Sequence, residues 1–213
     1  FKYDKDKDYV IKNLNIKIKL NSIIGVIGKS GSGKTTFLDI FSGLIVPETG
    51  SLIVDNQEIS NNFLRRKFQN NISYISQKTT VINDILLKNI CFGIDEKKID
   101  FNKYNQVLEI CELNKIEKNF DKSQKKISEF GSNISGGQLQ RIGIARALYL
   151  DKEILIFDEA TNALDEDLEK KIVSRIIKMK HEKILIFVSH NQDLLKNFDE
   201  IYELKNSDII KIK

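Results

Sequence analysis

Gly28-Lys29-Ser30-Gly31-Ser32-Gly33-Lys34-Thr35 brings three glycines, an ammonium and a hydroxyl into one short run. The run satisfies G-x-x-x-x-G-K-[ST] at every fixed position, and the chemistry of that pattern is phosphate binding. Gly28, Gly31 and Gly33 let the backbone wrap around phosphate oxygens without Cβ clashes. The amide N–H groups of such a nest, with a helix N-terminus behind them, offer partial positive charge. Lys34 adds a full charge for the β- and γ-phosphates of a nucleoside triphosphate, and Thr35 supplies a hydroxyl to Mg²⁺. Ser30, Ser32 and Thr36 complete the expected nucleotide-binding set.

Two further groups point the same way. Ile154-Leu155-Ile156-Phe157 is a continuous apolar run ending in Asp158-Glu159. A carboxylate at the C-terminal end of a buried parallel strand faces a ligand crevice, so Asp158 is expected to hold Mg²⁺ directly or through water. Glu159, one residue on, is expected to polarise an attacking water. Ser135-Gly136-Gly137-Gln138 opens a helical stretch running through Leu148. A helix N-terminus with a hydroxyl and two glycines is a second place for an anion.

These residues need elements to position them. Ile23 to Ile27 is an apolar run that suits a strand buried on both faces, and Lys34 to Leu44 reads as the helix that follows the loop. Val10 to Leu20 alternates apolar and polar residues with period two, which predicts a half-exposed strand. Ser51–Asp55, Ile72–Ser76, Ile154–Phe157 and Ile184–Val188 read as further strands, with a helix over Leu164–Met179 and two edge strands around Asn206-Ser207. From Ile82 to about Gln140 the apolar residues recur at helical spacing. Strands alternating with helices predict an α/β core with a mostly parallel sheet.

Composition limits the alternatives. The 34 basic and 30 acidic residues leave a net charge of +4, too mild to predict a nucleic-acid partner. Cys91 and Cys111 lack C-x-x-C spacing and read as buried reduced thiols of a cytosolic protein. No apolar run approaches the roughly 20 residues that span a bilayer. Beginning at Phe1, the sequence is expected to be a piece of a longer chain.

The phosphate loop, the Ile154–Glu159 strand and the Ser135–Gln138 element, in this order, resemble the ATP-binding cassette (ABC) ATPase family from Phe1 almost to Lys213. The resemblance implies the ABC ATPase fold: a P-loop core with a mostly parallel sheet, an antiparallel β sub-domain, and a helical sub-domain, with the core at roughly 1–81 and 141–213 and the helical part at roughly 82–140. It also implies roles for residues that mean little alone. Gln77 matches the Q-loop glutamine, which reaches Mg²⁺ or water and relays the nucleotide state. His190, after Val188-Ser189, matches the switch histidine at the γ-phosphate. Tyr3 resembles the aromatic that stacks on adenine, with Tyr9 as a competitor. In the family, the Ser135–Gln138 element covers the γ-phosphate held by a partner, so two cassettes sandwich two ATP molecules head to tail. Asn162-Ala163-Leu164-Asp165 resembles the D-loop at that interface, with Asn162 where serine is common and Asp165 in the nucleotide-binding set.

Two stretches resemble the exporter branch. Thr79 to Gly93 is similar to the run after the exporter Q-loop, and Ser128 to Asn133, with Glu129, is similar to the exporter x-loop. The implied protein is an ATP-hydrolysing motor on the cytoplasmic face of a membrane, tethered through a transmembrane domain and paired with the same or a similar nucleotide-binding domain. An importer subunit and a non-transport ABC ATPase of DNA repair or translation remain alternatives, and the cargo is not legible.

Overall fold

The computed structural model describes residues 1–4, 6, 8–123, 126–189 and 191–213. They divide into two compact units, one made of 1–72, 153–156 and 180–213, the other of 73–152 and 157–179.

The first unit is organised by β1 (Ser22–Ile27), whose run SIIGVI is buried through its centre. It pairs in parallel with β6 (Ile184–Val188) and with β7 (Glu200–Lys205), and β7 pairs antiparallel with β8 (Asp208–Lys211). With β4 (Ile72–Ile75) and β5 (Ile154–Asp158), the sheet order is β4-β5-β6-β1-β7-β8. The apolar runs of β1, β5 and β6 are what strands covered on both faces require. Phe187 and Phe198 stack with centroids 5.1 Å apart, a contact worth roughly 1 kcal/mol beyond its buried area. The Asp199 carboxylate accepts from the Ile23 N–H at 2.8 Å, while the Asp199 N–H donates to the Ile23 carbonyl at 2.9 Å. That reciprocal pair pins the chain as it enters β7.

Helix α1 (Lys34–Phe41) leaves β1 through the glycine loop. Helix α2 (Asn62–Gln69) is capped by Asn61, whose side chain accepts from the Leu64 N–H. Short α8 (Gln192–Leu195) precedes β7.

Residues 10–20 form no strand: Leu14, Ile16 and Ile18 are half-buried and Asn15 and Lys17 between them exposed, so the burial alternates as predicted, but no ladder pairs them. Period two sets which side chains face inward; it does not supply a partner strand. The two strands around Asn206-Ser207 are not both edges, because β7 lies between β1 and β8. Helix α2 was not foreseen, since Phe68 is its only buried residue. The strand at Ser51–Asp55 shrinks to β2 (Ile53–Val54), hairpinned on β3 (Gln57–Glu58).

The second unit is mostly helical: α3 (Leu86–Ile90), α4 (Phe101–Ile110), α5 (Asn114–Ser123), α6 (Gly136–Leu150) and α7 (Glu166–Ile177). Helix α6 packs on α3 and α4. Fully buried Asn89 accepts from the Ile82 N–H and donates to the carbonyls of Ile82, Asp84 and Ile85, so its whole amide is spent on the turn before α3. Arg146 donates to the carbonyls of Asn89 and Thr80. Buried Thr161 donates to buried Glu169 at 2.5 Å and fastens the start of α7. Cys91 and Cys111 are buried free thiols, and burial raises the pKa of both.

Candidate functional site

The first unit carries the phosphate loop. Gly28, Gly31 and Gly33 have φ of 151°, 76° and 99°. At Gly28 a Cβ would stand 2.5 Å from the Ser32 Oγ and 2.7 Å from the Leu204 carbonyl oxygen, so both the conformation and the space require glycine. The loop closes through a Ser32 N–H to Lys29 carbonyl bond of 3.1 Å. Gly33 stands at the N-cap of α1 and brings no side-chain cap, which keeps the first amides of the helix available to an anion. Lys34 is 7% exposed, and its ammonium donates to the carbonyls of Gly28 at 2.9 Å and Lys29 at 3.1 Å. The loop thus sets the position of its own cation. The Ser32 hydroxyl is buried without a hydrogen-bond partner among the described residues, an orphan polar group of the kind a phosphate oxygen satisfies.

Tyr3 joins this group. Its hydroxyl lies 3.0 Å from the Thr36 Oγ1, its ring meets Phe1 edge-on, and it is 63% exposed. Tyr9 has its face under the Lys2 ammonium. Ser30 and Thr35 are exposed. The structure therefore gathers Tyr3, Thr36 and the loop within one unit, and of the two tyrosines it is Tyr3 that bonds to α1.

The second unit carries the carboxylates. Asp158, the last residue of β5, accepts at Oδ2 from the Tyr74 hydroxyl at 2.8 Å. Glu159 follows with φ of 51°, in the left-handed region that non-glycine residues rarely enter. Its Oε2 accepts from the Gln77 Nε2 at 3.2 Å and from the Asn162 Nδ2 at 3.0 Å. Gln77 is thus already beside Glu159. Tyr74 and Asn162 were not singled out for this neighbourhood; the only signals were the position of Tyr74 shortly before Gln77 and an asparagine where the family favours serine.

The Ser135–Gln138 element is a reciprocal capping box. Ser135 Oγ accepts from the Gln138 N–H at 3.2 Å, and Gln138 Oε1 accepts from the Ser135 N–H at 2.8 Å. The amide of Gln138 is spent on shaping the turn. The Ser135 hydroxyl, used here as an acceptor, keeps a proton to donate. A Cβ at Gly137 would lie 2.9 Å from the Ala163 carbonyl oxygen, so the start of α6 runs against the 162–165 loop. Gln140 accepts from the Ala163 N–H at 2.8 Å, and Asp165 caps α7 by accepting from Leu168. Ser135, Gly137, Arg141, Leu164 and Asp165 help to line an open cleft of about 370 Å³. Burial lowers the pKa of the Arg141 guanidinium. His190 lies outside the described residues.

Among the described residues no three His, Cys, Asp or Glu side chains gather as a metal cage. Within the second unit Asp158 brings a carboxylate and Gln77 an amide, both hard oxygen donors. They fit Mg²⁺ that takes most of its ligands from phosphates and water rather than from protein.

Comparison with known proteins agrees with this chemistry. The sequence model of the family described as ABC transporter matches residues 11–162. The ATP-dependent lipid A-core flippase of Ralstonia nicotianae is 30% identical over 213 residues, covering 99% of this chain and 36% of that protein. The leukotoxin translocation ATP-binding protein LktB of Mannheimia glucosida is 31% identical over 215 residues, covering 99% of this chain and 30% of that protein. The chain thus spans about a third of the length of these curated relatives. A solved structure of a bacterial Atm1-family ABC exporter with ATP bound superposes with a TM-score of 0.89 at 25% identity, over 99% of this chain and 36% of that one.

Proposed function

The chain belongs to the ABC transporter family, and we propose that it is the ATP-hydrolysing motor domain of an exporter. The observation that carries the reading is the glycine-built loop with Lys34 held on its own carbonyls, because it is a phosphate site set by backbone geometry. In this reading the loop amides and Lys34 bind the phosphates, and Tyr3 stacks on the adenine. Glu159 orients the attacking water and receives its proton as the water oxygen joins the γ-phosphorus and the bond to ADP breaks. Gln77 and His190 position that water. Mg²⁺, held by Asp158, Thr35 and Gln77, would neutralise phosphate charge.

Ser135, Gly136 and Gly137 serve a second copy. Their helix start, with the Ser135 hydroxyl proton, offers donors to a γ-phosphate bound elsewhere, and Asp165 and Gln138 hold the turns that present them. ATP then closes a head-to-tail pair, and hydrolysis opens it. Among the described residues no helix is long and apolar enough to cross a membrane. In this reading the translocation path is supplied by a transmembrane domain, with the motor on its cytoplasmic face, as the length of the exporter relatives supports. Relatives named for lipid A-core flipping and leukotoxin translocation support the exporter branch.

The test is Glu159→Gln, measured by phosphate release and by light scattering with ATP and Mg²⁺. Loss of a positioned general base lowers turnover by about 10²–10⁴-fold, and the variant accumulates as an ATP-dependent dimer. Hydrolysis at the wild-type rate would overturn the role of Glu159. A monomer that binds ATP would overturn the two-copy mechanism.

A further inference from the structure

Tyr74 stands in β4 with its flanking residues Ser73 and Ile75 buried and its own ring half-buried. Its hydroxyl reaches across to the end of β5 and donates to Asp158 Oδ2 at 2.8 Å. A phenol bonded to a carboxylate is charge-assisted and stronger than a neutral pair. An aspartate at a strand end has a well-defined χ1 but a broad χ2, so its carboxylate plane turns easily unless something holds one oxygen. Here a rigid ring, fixed by β4, does so.

We propose that Tyr74 is a positioning residue for the metal-side carboxylate: it fixes the rotation of Asp158 and so the direction in which that carboxylate meets Mg²⁺ or its water shell. The inference rests on the proposal that Asp158 is the metal-side group. Nothing in the sequence pattern of the phosphate sites includes position 74. Partners that orient a ligating carboxylate from behind typically govern metal affinity by 10- to 100-fold. A tyrosine that merely satisfied its own hydroxyl would leave metal affinity alone when that hydroxyl was removed.

The experiment separates these cases through linkage. Affinity for a non-hydrolysable ATP analogue is measured twice, with EDTA and with Mn²⁺, for the wild type, Tyr74→Phe and Asp158→Asn. The ratio of the two affinities is the gain that the metal brings, and the Mn²⁺ electron paramagnetic resonance spectrum of the complex reports its coordination independently of turnover. The expected result is that Tyr74→Phe keeps the EDTA affinity, loses about tenfold or more of the metal-dependent gain, and broadens the Mn²⁺ signal. Asp158→Asn loses at least as much. If Asp158→Asn abolishes the gain and Tyr74→Phe leaves it intact, the positioning role is wrong while the metal assignment stands. An undiminished gain in Asp158→Asn would sink both. Weaker binding of Tyr74→Phe in EDTA by the same factor as in Mn²⁺ would reduce Tyr74 to a structural residue and overturn the proposal.

Discussion

The phosphate loop of the first unit and the carboxylate cluster of the second are built by opposite means. In the loop the geometry is backbone: three glycines at positive φ, a buried lysine on two loop carbonyls, and no room for a Cβ at Gly28. Around Glu159 and Ser135 the geometry is side chain on side chain or side chain on cap, among exposed or half-buried groups. A glycine nest tolerates little change, since a side chain added where φ is positive costs about 1–3 kcal/mol. Exposed hydrogen bonds exchange readily for others at a net cost near 1 kcal/mol. The contrast suits the proposed motor, which would grip phosphate and rearrange around it once per cycle. It also orders what mutation should do.

The same substitution in the two regions gives the largest test. Gly28→Ala needs φ of 151° and pushes a methyl to 2.7 Å from the Leu204 carbonyl oxygen, an obstacle that cannot rotate away. Nucleotide affinity is expected to fall by about 100-fold or more, since each 1.4 kcal/mol is a factor of ten, as read by fluorescent-ATP titration. Gly137→Ala starts from helical backbone, where alanine is favoured over glycine by roughly 1 kcal/mol, and meets the Ala163 carbonyl oxygen at 2.9 Å. The variant is expected to keep its nucleotide affinity and to melt somewhat below the wild type, because the Ala163 carbonyl must shift, while phosphate release falls about tenfold, roughly 1.4 kcal/mol on the barrier. Equal loss of affinity in both variants would erase the distinction between a rigid grip and an adjustable second face.

The same division explains what could be read in advance. Gly28 to Thr35 was legible because its glycines are demanded by backbone conformation and its lysine by charge, and β1, β5 and β6 because fully buried strands are continuous apolar runs. The second unit gave its residues but not their arrangement. Ser135 and Gln138 fit both an anion site and a capping box, and the structure spends Gln138 on the box. Asp165 likewise appears as the cap of α7. Tyr74 carries no signal in the sequence because its meaning lies in a contact with Asp158 far along the chain. The segment 10–20 had the right inward-facing residues and no partner, since pairing is a property of the neighbour.

The smallest effect concerns how the second unit holds its own frame. The Glu112 carboxylate, beyond the end of α4, accepts from Lys171 at 2.8 Å and Arg175 at 2.7 Å, both on α7, while its carbonyl accepts from Arg141 at 2.6 Å. Arg141 also donates to the Gly137 carbonyl at 3.3 Å, so the end of α4 and the start of α6 share one guanidinium. The hydrogen bond from Lys171, with help from Arg175, lowers the Glu112 pKa. A carboxylate whose pKa is lower folded than unfolded adds stability above its unfolded value, near 4.3, and loses it as the pH falls through the lowered one. Glu112→Gln is therefore expected to melt below the wild type at neutral pH and to converge with it in acid. With the carboxylate 33% exposed, the pair is screened and worth no more than about 1 kcal/mol. That predicts a difference of about 2–4 °C for a chain this long, measured by calorimetry across pH 3 to 7. ATP affinity should not change, because the phosphate grip depends on backbone that Glu112 does not touch; a drop in affinity would mean that the second unit's side-chain frame reaches into the nest after all.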